Sequence, residues 1–275
     1  RLHARWLDSD EAVRLALSHM AAYEGGGYAS LGVFEPSHDH HLLAYSLDTY
    51  GNENFITYFK DLQSGDLLPD QIPGTKYDGE WGNDNRTFFY VTQDHAKRDH
   101  ALYRHVLGTP VVDDELLYQE DDELFWVGLD KTRDLRYLFL GSDSITPRAV
   151  RYLAADHPLG DLQLVQPRIA GMEYSVDHRE GLFYIITNRD AVNFKVCTAS
   201  VATSGIDRWT DWVAHDPDVL IQGIDLFAGH AVLYKRERGL RTLRITDLAS
   251  GTHRELDFPE ASYVYYPHDN LEHDT

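Results

Sequence analysis

Short runs of apolar and aromatic residues recur along this chain at nearly constant spacing, and this spacing restricts the fold more than any other feature. The runs are centred on Leu43, Phe89, Leu138, Tyr184 and Val232, at steps of 46, 49, 46 and 48 residues. They are too short for helices and rich in β-branched and aromatic residues, which is typical of buried strands. Such a constant period indicates a repeat architecture, because a β-sandwich or a pair of them does not require it.

Each run has similar neighbours in the sequence. A polar turn of the type that allows tight reversals precedes it, such as residues 82–85 before Phe89. A strand in which basic and apolar residues alternate follows it, such as Ala101–Val106, and a more polar strand such as 116–118 comes next. Four strands per unit at this period predict an all-β fold, a β-propeller of four-stranded antiparallel blades. About five complete blades fit into the chain.

The two ends of the chain are expected to differ from this repeat. Residues 9–22 carry apolar side chains at helical spacing, so residues 1–29 are predicted to form a short peripheral helix or loop at the end of a preceding blade. Residues 30–275 are predicted to form propeller blades, and 262–266 can open a sixth. Because the chain starts at Arg1 and its opening has no signal-peptide layout, we expect a piece of a longer protein.

Composition limits the classes of partner. The chain carries 45 acidic and 25 basic residues, a net charge of −20, which disfavours nucleic acid and anionic membranes and attracts basic ligands. No apolar run is long enough to span a membrane. The single cysteine, Cys197, excludes an internal disulfide and is compatible with a reducing compartment. We therefore expect a cytoplasmic protein.

The motifs that usually carry chemistry are missing. Gly27–Gly32 is the nearest string to a serine-nucleophile turn, but it has one residue too many between glycine and Ser30, and no helical pattern follows it. The dense group His38–His41 lies in a predicted hairpin, where adjacent side chains point to opposite faces and do not converge on a metal. No phosphate-binding glycine loop is present. The sequence thus predicts no catalytic residue, no metal site and no cofactor.

Six strings of the sequence are familiar as a set: residues 33–46, 81–87, 103–109, 173–178, 193–195 and 237–240. Together they resemble the oligopeptidase B branch of the prolyl oligopeptidase family, in the family's order and over nearly the whole chain. This resemblance implies a seven-bladed propeller that covers an α/β-hydrolase domain with a Ser-Asp-His triad. That domain is absent from this chain, so the chain alone is expected to be inactive.

The resemblance also implies a function. Enzymes of this branch cleave short peptides after arginine or lysine, so the chain is expected to act as size filter, substrate gate and cavity cover for the hydrolase domain of the same parent chain. The sequence departs from the family pattern at Gly25–Gly27 and at Pro147–Ala149, where Thr-Ser-Glu is common. Both departures place substrate preference in question. A stand-alone, non-catalytic propeller that binds a partner protein is the alternative hypothesis.

Four acidic residues are candidates for the substrate channel. In a propeller the first strand of each blade lines the channel, and we expect these strands to contain Glu35, Glu80, Glu173 and Asp225. Those that face the channel would concentrate short basic peptides. Pairing with nearby arginines is the other possibility that the sequence leaves open.

Overall fold

The computed structural model describes residues 28–145, 148–256, 258–260, 263, 265, 273 and 274. The regular structure of the described residues consists of strands, in five four-stranded sheets, apart from short 3-10 turns at Val111–Asp113, Val201–Thr203 and Ile206–Arg208. The helix predicted over residues 9–22, and most of 262–266, lie outside them. The first three sheets, blades I to III, are β1 (Ser30–Pro36), β2 (Leu42–Asp48), β3 (Phe55–Asp61) and β4 (Leu67–Thr75); β5 (Gly79–Trp81), β6 (Thr87–Gln93), β7 (Asp99–Val106) and β8 (Glu115–Gln119); β9 (Trp126–Lys131), β10 (Tyr137–Asp143), β11 (Arg148–Ala154) and β12 (Gln163–Gln166).

Blades IV and V follow the same order. Every strand pairs with the next strand in sequence, and every described pairing is antiparallel. The predicted run centres all lie in the second strand of a blade, so the structure confirms the four-stranded repeat. The strands of these two blades are β13 (Tyr174–Arg179), β14 (Leu182–Thr187), β15 (Lys195–Ser200) and β16 (Thr210–Val213); β17 (Val219–Leu226), β18 (His230–Glu237), β19 (Leu240–Asp247) and β20 (His253–Glu255).

Short polar side chains fix the turns between the first and second strands. In blade II, Oδ1 of Asp84 accepts the backbone N–H groups of Arg86 and Thr87, at 3.1 and 2.8 Å. Asn85 between them has a φ of 57°, a conformation that asparagine tolerates better than most residues. These contacts explain why an Asn- and Asp-rich string ends one strand and starts the next.

The chain divides into two compact units, which do not follow the blade boundaries. The first unit comprises Arg1–Asp130 and Leu153–Leu162, and the second comprises Lys131–Tyr152 and Gln163–Thr275. The core of the first unit contains Phe59, Trp81 and Phe88, whose rings meet edge to face at 5.2–5.5 Å. The geometry is the favoured one for aromatic pairs. The predicted buried strands thus supply this core.

An arginine joins blade II to the loop at 153–162 within the first unit. Nη1 of Arg104 donates to the carbonyls of Pro158 and Gly160, at 2.8 and 2.9 Å. Its Nη2 pairs with the carboxylate of Glu115. Because Arg104 is only 8% exposed, the bonds are shielded from water and hold the loop in place.

The second unit has a core of its own, built on blade IV. Phe183 lies edge to face with Tyr152 at 5.0 Å. The hydroxyl of Tyr174 donates to the carbonyl of Gln166 at 2.5 Å and accepts the N–H of Val150 at 2.8 Å. This buried hydroxyl satisfies backbone groups of β11 and β12, so polar atoms in the core are paired.

Candidate functional site

The structure distributes the four candidate acids over both compact units. Glu35 lies in β1 and Glu80 in β5, both in the first unit, whereas Asp225 lies in β17 of the second unit. Glu173 lies one residue before β13, not inside a first strand as expected. Whether any of the four faces a substrate channel stays a prediction.

Asp225 has two strong partners. Nη2 of Arg133 donates to its Oδ1 at 2.8 Å, and the hydroxyl of Tyr234 donates to its Oδ2 at 2.6 Å. The guanidinium of Arg133 also lies over the ring of Phe227, 4.6 Å from its centroid. The charge of Asp225 is therefore compensated locally, and this carboxylate is a weak candidate for attracting a substrate.

Glu173 has a fixed backbone and an unpartnered side chain. The amide oxygen of Asn188 accepts its backbone N–H at 2.8 Å. Its carbonyl accepts the hydroxyl of Thr187 at 2.9 Å and the N–H of Asn188 at 3.2 Å. Its carboxylate has no hydrogen-bond or ion-pair partner in the described chain. Glu173 is thus positioned rigidly but remains free to bind a cation.

A cavity of about 480 Å³ lies beside Glu173 within the second unit. This volume is within the range of small-ligand sites. Nε of Arg148 and Oδ1 of Asp143, both in the lining, are 2.6 Å apart, so their charges compensate each other. Glu173 is the remaining charged residue of the lining, which also contains Ser144, Ile145, Tyr174, Ser175, Ile186, Phe194, Leu220, Ile221 and Gln222.

A buried acid near Arg133 and Asp225 was not predicted from the sequence. Asp177 lies in β13, four residues beyond Glu173, and burial raises the pKa of its carboxyl to about 6. The N–H of His178 donates to it at 2.7 Å, which lowers the pKa but does not offset the burial. Its sequence neighbours give no sign of this burial, because its strand alternates without a clear apolar face.

Large apolar side chains are exposed in the loops at one end of the blades. In an antiparallel blade, the loop from second to third strand lies at the same end as the connection to the next blade. In the first unit, Tyr50, Tyr77 and Leu124 are exposed in such loops. In the second unit, Ile145, Ile169 and Val192 are exposed in equivalent loops. This exposure is not confined to one end, because Val112 and Leu159 are also exposed, in loops between third and fourth strands.

The residues considered as nucleophiles occupy structural positions. Ser30 is the first residue of β1, an ordinary strand as expected. Cys197 is buried in β15, where burial raises the pKa of its thiol to about 11, so a reactive thiolate is disfavoured. Within the described ranges, no three His, Cys, Asp or Glu side chains converge as a metal cluster. No helix in the described part of the chain is long and apolar enough to cross a membrane.

These observations define the class of protein as a β-propeller domain built from four-stranded blades. The profile of the N-terminal β-propeller domain of prolyl oligopeptidase matches residues 8–274. The chain therefore belongs to the prolyl oligopeptidase family, as its propeller domain.

Relatives and solved structures agree with this assignment. The chain is 36% identical over 255 residues to dipeptidyl aminopeptidase BI of Pseudoxanthomonas mexicana, covering 92% of this chain and 35% of that protein. It is 30% identical to protease 2 of Moraxella lacunata, over 94% of this chain and 37% of that one. Oligopeptidase B of Trypanosoma brucei, with covalently bound antipain, matches 90% of this chain and 36% of its own length, with a TM-score of 0.79 and 31% identity. The chain thus spans about a third of the length of these relatives.

Proposed function

We propose that this propeller serves an oligopeptidase B-like serine peptidase that hydrolyses short peptides after arginine or lysine. It would act as size filter, substrate gate and cover of the substrate cavity for a C-terminal α/β-hydrolase domain. Family membership and the similarity to protease 2 and to oligopeptidase B support the proposal. One observation carries the proposed preference of the peptidase for basic peptides. The unpaired carboxylate of Glu173 lies beside a cavity, in a chain whose net charge is −20.

Electrostatics supports the preference for basic peptides. A cavity with low-dielectric walls concentrates the field of an unpaired charge, which raises the local concentration of ligands of opposite sign. The apolar side chains around Glu173 provide such walls.

The test compares charge variants of the complete peptidase. Glu80→Gln combined with Glu173→Gln is expected to lower kcat/KM for multiply basic peptides and to affect peptides with neutral flanks much less. The difference is expected to shrink as salt shortens the Debye length to about 8 Å near 0.15 M.

The matched control is Asp161→Asn with Asp207→Asn. Both residues are exposed and lie between the third and fourth strands of their blades. The control therefore removes the same number of negative charges as the test variant but leaves the lining of the cavity unchanged. Equal, salt-independent losses for both types of peptide would contradict charge-based attraction at Glu173 and Glu80.

A further inference from the structure

We propose that the Glu173 carboxylate binds the free α-ammonium group of a peptide substrate, so that this propeller gives its peptidase a preference for unblocked N-termini. The inference rests on the proposed function, and it assigns a specificity to one residue of the cavity. It concerns the N-terminal end of the substrate, not the residue at which the peptide is cut.

The positioning of Glu173 favours a specific contact over general attraction. Its backbone is held by three hydrogen bonds to Thr187 and Asn188, all within β14 or directly after it. A carboxylate on such a fixed backbone loses less conformational freedom when it binds a ligand. Because no side chain of the described chain pairs with it, a ligand need not displace an existing ion pair.

The chemistry of the cavity fits the start of a peptide. A small cation that leaves water requires an opposite charge and hydrogen bonds, and Glu173 supplies both. Apolar side chains such as Ile186, Phe194 and Ile221 lie in the same lining and can contact the first side chains of the peptide. The pair formed by Arg148 and Asp143 leaves the lining with one uncompensated negative charge.

The name of one relative points in the same direction. The protein that is 36% identical to this chain is called a dipeptidyl aminopeptidase. That name describes an enzyme that acts at the amino end of its substrate. An enzyme of this kind requires a group that distinguishes a free terminus from a blocked one, and the unpaired carboxylate of Glu173 has the charge for this task.

The first experiment uses two tripeptide substrates of the complete peptidase, Ala-Phe-Arg with a fluorogenic amide leaving group and its N-acetylated form. We expect kcat/KM to be higher for the free form by about tenfold or more, the range of a charge-assisted hydrogen bond. Glu173→Gln is expected to remove most of this ratio. The preference should also fall as pH rises through about 8, where an α-ammonium loses its proton.

The control variant is Glu180→Gln. Glu180 is an exposed glutamate of the same blade, located at its opposite end and paired with Arg179, so the substitution should leave the ratio unchanged. Thermal melting of each variant checks that it is folded. If the wild-type enzyme hydrolyses both substrates equally well, or if Glu173→Gln retains the ratio, the inference is wrong even when the proposed function holds.

A binding measurement separates the two proposals if neither substrate is hydrolysed. That result would contradict the proposed function. Titration of the 275-residue chain with Ala-Phe-amide and with its acetylated form, followed by calorimetry, then tests Glu173 directly. Binding of the free form alone, lost in Glu173→Gln, supports the inference. Equal binding of both forms, or binding of neither, overturns it.

Discussion

Two buried histidines, one in each unit, share one type of partner and differ in the other. Nδ1 of His105 lies 2.7 Å from Asp114, and Nδ1 of His178 lies 2.6 Å from Asp134. The difference is at Nε2, which faces the carboxylate of Asp70 at 3.2 Å in His105 but accepts the N–H of Gly181 at 3.0 Å in His178.

The partner of Nε2 sets the contacts that each ring makes. In His178, Nε2 accepts the N–H of Gly181, so the ring proton lies on Nδ1, which donates to Asp134. In His105, both ring nitrogens face carboxylates, so the imidazole lies between two acidic partners. A single contact on the far side of the ring thus distinguishes a buried pair from a buried triad.

The imidazole of His105 is enclosed on all sides. Its side chain is fully buried and stacks on Phe59, with ring centroids 6.0 Å apart. Asp114 also accepts the hydroxyl of Tyr90 at 2.8 Å, and Asp70 accepts the N–H of Gly108 at 2.6 Å. Because Asp70 comes from β4 and His105 from β7, the triad joins blades I and II inside the first unit.

The largest expected effect is the loss of one carboxylate from the triad. Asp114→Ala leaves Nδ1 of His105 and the hydroxyl of Tyr90 without their shared acceptor in a fully buried site, so we expect the free energy of unfolding to fall by about 3–5 kcal/mol. Urea denaturation measures this change. Asp113→Ala, an exposed neighbour, should change stability by less than about 0.5 kcal/mol. Similar midpoints for both variants would show that the contacts of Asp114 with His105 and Tyr90 do not stabilise the fold.

A smaller effect is expected at the partner of His178, and it depends on pH. Burial alone would raise the pKa of Asp134, but hydrogen bonds from His178 and Thr132 hold it below its ordinary value. A depressed pKa stabilises the folded state above about pH 4, and this stabilisation is lost as pH falls through the pKa of the folded state. Asp134→Asn should therefore cost about 1–3 kcal/mol at pH 7.

The pH series distinguishes a charged partner from a neutral one. The difference in unfolding free energy between wild type and Asp134→Asn is expected to shrink between pH 5 and pH 3. A difference that stays constant over this range would mean that the ionisation of Asp134 contributes nothing, and that the amide replaces the carboxylate fully as an acceptor for Nδ1 of His178.

The smallest effect is expected at an exposed pair of the same type. Nδ1 of His41 lies 3.3 Å from Asp39, but the histidine side chain is 73% exposed. Water competes for both groups, and exposed ion pairs typically contribute less than about 1 kcal/mol. His41→Ala should shift the urea midpoint by an amount close to experimental error. A loss comparable with that of Asp114→Ala would show that burial does not determine how much the contacts of His41, His105 and His178 contribute to stability.

The sequence predicts the strands well because their signal is local. The runs around Phe89 and Tyr184 combine apolar content with adjacent turn residues, so each strand can be located without knowing what it packs against. The partners of His105 are 35 and 9 residues away, and no local pattern indicates them. The same limit applies to Glu173, since its unpaired state depends on contacts that only the folded chain defines.

The four acidic candidates show this limit most clearly. Residue type alone does not distinguish Asp225 from Glu173. In the structure, Arg133 forms an ion pair with Asp225, whereas Glu173 borders a cavity. The arginine lies 92 residues before Asp225 in the chain. Alternation along a strand indicates which face a side chain occupies, but it does not indicate what a distant loop brings to that face.

The bonds of Arg104 to the carbonyls of Pro158 and Gly160 have a consequence for how this chain could be divided or recombined. A fragment that ends between blades II and III, within residues 120–125, would retain the guanidinium but lose both carbonyls, leaving a buried cation short of acceptors. A chimera that exchanges blade III with a relative would import a foreign loop against Arg104. The smallest part that can be exchanged with these contacts intact is therefore blades I and II together with residues 153–162, not a single blade.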